Sequence, residues 1–223
     1  MRHPYRLLAL LIVIDLLVVI LHYWFGGTIR FFHLDKEQNL ASVYSGSLLL
    51  AGAVMSFGAC IVLGKMGAFR DRVILLLLGL GLFYLAIDEM VVLHERIGLA
   101  LNYRFGLTGY KGSAFNWVIY YTPAMIASVF VFWGVLRMLW MRECQLFIIA
   151  LVGVFVLFFS LGAEALGGRM LQSKFYTTIS VIEEFAEMVG ESFLLVVIAW
   201  FFTRLFHEHY TRRPPSLFNE EHV

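Results

Sequence analysis

The stretch Leu40–Gly64, LASVYSGSLLLAGAVMSFGACIVLG, contains no charged side chain. A run of about 18 or more apolar residues is long enough to cross a hydrocarbon core of about 30 Å as a helix. Lipid offers no partners for free backbone amides and carbonyls, so a segment of this kind must be helical. Five further runs share the character, giving expected spans Leu7–Phe25, Leu40–Gly64, Val73–Leu101, Phe115–Trp140, Leu146–Leu166 and Ile179–Phe206. Composition agrees: 61% of the residues are hydrophobic and 15% charged, whereas soluble domains carry about 25% charged residues.

The expected fold is an all-α integral membrane protein, a bundle of six transmembrane helices over residues 1–206 with a short polar tail over 207–223. Arg2 and Arg6 precede the first run, as in a signal peptide. That run continues to Phe25 and holds Asp15 and His22, which fits an uncleaved first helix better. Cys60 and Cys144 suggest neither a disulfide framework nor a thiolate metal site.

Lysines and arginines set the expected orientation. With the N-terminus inside, the inner segments hold Arg2, Arg6, Lys65, Arg70, Arg72, Arg137, Arg142, Arg204, Arg212 and Arg213. The outer segments hold Arg30, Lys36, Arg96, Arg104, Lys111, Arg169 and Lys174. This bias puts both termini in the cytoplasm of a multi-pass protein of the cell (inner) membrane. Its expected partners are the lipid bilayer and membrane proteins or further copies of itself. A net charge of +1 with no basic patch clear of the membrane flanks argues against nucleic acid. Gly79 and Gly81 lie mid-helix and are no dinucleotide loop, and His207-Glu208-His209 reads as a solvated helix end. Gly52, Ser56, Cys60 and Gly64, four apart, form a helix-packing stripe.

The informative residues are the acids in or at the ends of the spans: Asp15, Asp88, Glu89, Glu95, Glu164, Glu183, Glu184, Glu187 and Glu191. An acid at the centre of a membrane helix costs about 2.5–3.5 kcal/mol, so it faces a bundle interior or wet cavity and marks function. In the sixth span, at about 100° per residue, Glu183, Glu187, Glu191 and Glu184 share one arc of roughly 100°. At about 1.5 Å per residue they run from about 6 to 18 Å below the outer start of the helix. In the third span Asp88 and Glu95 share a face, with His94 beside them. Asp15 and His22 share a face of the first span, and Ser160 and Glu164 one of the fifth. The expected result is a shallow layer of His22, Asp88, Glu89, Glu164, Glu183 and Glu184 above a deeper one of Asp15, Glu187 and Glu191.

Carboxylates this close cannot all be ionised without a counter-charge, so protons or a metal must meet the excess. Carboxylate oxygen suits magnesium, calcium and manganese, and imidazole adds affinity for iron, zinc or copper. Bundles with inward glutamates build di-iron and di-manganese sites. Here Glu184-x-x-Glu187 stands where such sites use Glu-x-x-His. DEMVVLHER (Asp88–Arg96) and EEFAEMVGE (Glu183–Glu191) resemble a pattern in uncharacterised bacterial polytopic membrane proteins, and the resemblance implies no reaction.

The expectation is an outer-half site, open to the outer side, that binds a divalent metal ion such as Mn, Fe or Zn. Its ligands would come from Asp88, Glu89, His94, Glu95, Glu183, Glu184, Glu187 and Glu191, with Asp15, His22 and Glu164 as further candidates. Whether it would be an enzyme stays open. The alternatives are a proton or cation transporter that uses the glutamate ladder as a relay, and a non-catalytic subunit of a larger complex. Below Glu191 the sixth span closes with LLVVIAWFF, which favours a one-sided pocket over a channel.

Overall fold

The structure, a computed structural model, describes residues 4–34, 38–105, 117–169 and 175–211. The described residues form helices and no strand. The helices are α1 (Pro4–Phe25), α2 (Leu40–Lys65), α3 (Phe69–Val91), α4 (Leu93–Arg104), α5 (Trp117–Arg142), α6 (Cys144–Arg169) and α7 (Tyr176–Thr211). All except α4 are long and apolar enough to cross a membrane. Their outward faces are as apolar as their inward ones; α1 alone exposes Leu10, Val13, Leu16, Leu17 and Ile20. A helix hydrophobic all round belongs in a large core or in lipid.

Helices α2, α3, α5, α6 and α7 form a ring that closes where α7 meets α2. One apolar core draws on all five, with Leu63, Leu78, Leu139, Ala150 and Phe201 among its members. Helix α1 stands outside the ring against α7, and α4 packs on α5. Helices α6 and α7 approach closely through facing glycines: a Cβ on Gly153 would lie 2.7 Å from Phe193 Cβ, and one on Gly190 2.7 Å from Leu157 Cγ. Gly67, at φ +74°, makes the left-handed turn between α2 and α3 that other residues adopt only with strain.

The α1–α2 connection folds back into the bundle. Asn39 caps α2 by accepting from the Ser42 amide at 2.9 Å, and its own amide donates to Leu34 O at 3.0 Å. Leu34 is thereby buried among Val18, Ala41, Val181 and Met188. At the opposite end Arg142 donates twice to Asp71 Oδ2, at 3.1 and 2.6 Å, and Arg204 pairs with Glu143 between α5 and α6.

The expected third span, Val73–Leu101, is interrupted. Val92 sits in the left-handed region (φ 56°, ψ 48°), so the helix ends at Val91 and α4 restarts at Leu93. Asp88 stabilises the break, because its Oδ1 accepts the His94 amide at 2.6 Å, one of the donors that a helix start leaves unpaired. The expected polar tail also begins later than 207, since α7 runs on to Thr211 with His209 buried. The rest of that tail, and the first two residues of the expected span 115–140, lie outside the described residues.

Candidate functional site

Helix α1 offers one buried stripe below Pro4: Leu11, Asp15, Val18 and His22, at helical spacing. It lies on α7 and presses Asp15 against Ser192, whose Oγ donates to Asp15 Oδ1 at 3.3 Å. One residue earlier, Glu191 accepts from Ser45 Oγ of α2 at 2.5 Å. Asp15 and Ser192 are 0% exposed and Glu191 3%. The Tyr44 hydroxyl stands within electrostatic range of both carboxyls yet outside hydrogen-bonding geometry. Asp15 Oδ2 and Tyr44 Oη are both buried and lie near each other, short of a well-formed hydrogen bond. Among the described residues no cation pairs with Asp15 or Glu191.

Apolar layers bound this polar layer on both sides. Towards the α1–α2 connection lie Val18, Leu34, Ala41, Val181 and Met188, and on the other side Leu11, Leu48 and Val196. Leu34, carried in by the folded-back connection, packs into the layer on that side. Along α7 burial deepens from Glu183, Glu184 and Glu187, all half-buried, to Glu191. Glu187 acts electrostatically on Glu191, so the ladder reaches the buried layer from its half-exposed side.

The third-helix motif stands elsewhere. Asp88 holds both the amide and the ring of His94, the latter at 2.9 Å to Nδ1. These contacts stabilise the α3–α4 joint, so Asp88 and Glu95 stand on two helices and not on the one unbroken helix expected. Glu89 is half-buried at the end of α3, and the Glu95 side chain lies outside the described residues. His22 accepts the Leu34 amide at 3.1 Å through Nδ1, which makes that nitrogen a structural acceptor for the connection. Glu164 is half-buried on α6, where Ser160 donates to the backbone carbonyl of Glu183 at 3.3 Å.

The described contacts thus fall in two places. Asp15 and Glu191 form one place with Glu187 beside them, while Asp88 and His94 are engaged at a helix joint. Among the described residues no three His, Cys, Asp or Glu side chains are grouped so as to hold a metal ion. Sequence reasoning passed over Tyr44 and Ser45 and ranked Asp15 among the secondary candidates. Adjacent polar residues one turn inside the uncharged stretch Leu40–Gly64 were the available signal.

Among the described residues, fold and site together define a helical bundle, six of its helices long and apolar enough to cross a membrane, that encloses a buried carboxyl layer. The chain belongs to the family described as a domain of unknown function, DUF8692, whose model matches residues 6–204. No curated protein and no solved structure matches it.

Proposed function

We propose that this is a polytopic integral membrane protein that transports protons or small cations by way of the Asp15–Glu191 layer, with the α7 glutamates as its approach. The observation that carries this reading is the pair of carboxyls, Asp15 and Glu191, buried within electrostatic reach of each other with no described cation beside them. An isolated buried carboxylate is too costly to keep ionised, so a proton or cation must meet each charge. Ser192 and Ser45 each hold one oxygen of a carboxyl, which leaves Asp15 Oδ2 to take up and release the carried species. Glu187, one turn along α7, is the exchange partner towards the half-exposed end. The apolar layers on either side require access to alternate, and α1, outside the ring, is the element whose shift would open it.

We place the bundle in the cell membrane with both termini cytoplasmic, because ten of the lysines and arginines then lie inside and seven outside. Reconstituted vesicles carrying an internal pH-sensitive dye test the function. The native protein should dissipate an imposed proton or cation gradient, and Glu191→Gln and Asp15→Asn should abolish the flux while the protein stays folded. Flux that persists in both variants would overturn the proposal.

A second reading, a resident divalent metal such as Mn, Fe or Zn at the carboxyl layer, draws on the same buried charge. Elemental mass spectrometry decides between them. Near-stoichiometric metal that is lost in a folded Glu187→Ala/Glu191→Ala variant would replace the transport reading.

A further inference from the structure

At the end of the bundle remote from the Asp15–Glu191 layer, α3 and α5 diverge around a cavity of about 200 Å³. Its wall includes Arg70, Asp71, Gly134, Arg137, Met141 and Arg142. Gly134 helps to keep the space open, since a Cβ there would lie 3.2 Å from Ile74 Cδ1. Three arginines from two helices thus line one cavity with a single acid. That acid is taken up by Arg142, through two hydrogen bonds. Among the described residues Arg70 and Arg137 have no ion-pair partner. Arginines that serve only to orient a membrane protein have no need to converge on a cavity, nor to leave two guanidinium groups unanswered.

We infer that this cleft binds the phosphate of an anionic phospholipid head group, held by Arg70 and Arg137. Guanidinium matches a phosphate oxygen pair geometrically, and basic pockets between membrane helices hold such head groups. The cavity is smaller than the roughly 300–1,000 Å³ of sites that enclose a whole drug-sized ligand, so it suits a head group whose chains lie outside. The rim supplies what those chains need: Phe69 and Met141 are each 76% exposed beside the arginines. Asp71, by engaging Arg142, keeps it turned towards α3 and lowers the positive charge of the pocket. The inference rests on the membrane reading above but not on transport.

The test is native mass spectrometry of the full chain in detergent, delipidated and then titrated with dioleoyl phosphatidylglycerol or dioleoyl phosphatidylcholine. The native protein should retain one phosphatidylglycerol in preference to phosphatidylcholine. Arg70→Gln and Arg137→Gln should each weaken that preference about fivefold, and the double variant about 25-fold. Arg204→Gln, which removes a charge elsewhere at the same end, should leave it unchanged, and Asp71→Asn should strengthen it. Equal retention of both lipids, or an undiminished preference in the double variant, would overturn the inference. So would complete displacement of the lipid by millimolar inorganic phosphate, which would assign the site to a free anion. Alkaline carbonate extraction of cell membranes separates the two readings: a chain released by carbonate sinks the membrane reading itself. An extraction-resistant chain with no lipid preference sinks only this one.

Discussion

Asp15 and Glu191 meet in a layer where each carboxyl has one hydroxyl donor and no described cation, so charge and packing there can be tested apart. A buried polar atom without a partner costs about 1–3 kcal/mol. Asp15→Leu, close in size, should therefore unfold at the same denaturant concentration as the native protein or a higher one, while losing all flux. A fall in stability of more than about 1 kcal/mol would make Asp15 a structural residue. Asp88 should behave in the opposite way, because its two contacts with His94 hold the start of α4. Asp88→Ala should cost about 0.5–2 kcal/mol, the usual loss of a helix cap, while Asp88→Asn keeps the acceptor and most of the stability. Equal losses in these two variants would show that charge, not capping, is what Asp88 supplies. The difference between the acids is invisible in their side chains; it comes from what the fold sets opposite them.

Among elements, the α6–α7 contact depends most on backbone approach. A side chain at Gly153 would meet Phe193 Cβ at 2.7 Å and the Gly190 carbonyl at 3.3 Å. Gly153→Val should destabilise the bundle by about 1–3 kcal/mol, as overpacking does. Gly81, where an added Cβ meets nothing within 4 Å, provides the contrast. Gly81→Ala should stabilise α3 by about 0.5–1 kcal/mol. Detergent-denaturation midpoints of the two variants should move in opposite directions, and a common direction would contradict this packing. Apolar runs made the helices legible, because a long uncharged segment has no other stable form in lipid. The break at Val92 was not legible. A valine in the left-handed region costs about 1–2 kcal/mol, and nothing in the local sequence announces it. It persists because Asp88, Val92 and His94 bond across it, with the Val92 amide donating to Asp88 O at 2.7 Å.

For the whole molecule, six helices of spanning length and apolarity predict that the native chain stays with membranes through alkaline carbonate extraction, and release into the soluble fraction would contradict it. Helical character, the presence of six such helices and the shared face of the α7 glutamates could be read from the residues alone. Each depends on hydrophobicity along the chain or on periodicity within one unbroken helix, and both are local properties. Which acids meet was decided by the tertiary structure. Matched depth set Asp15 and Glu187 in one layer with Glu191, below Asp88, Glu164 and Glu183, but depth leaves azimuth and helix order undetermined. Both α1 and α2 pack against α7, the former from outside the ring, and that adjacency selects Asp15, Tyr44 and Ser45 as the companions of Glu191. The cover over the layer is equally non-local, since Leu34 reaches it only because Asn39 and His22 hold a connecting segment folded inward. Hydropathy gave the chain its helices through the solvent each residue avoids; the site arose from contacts between helices, which no single helix encodes.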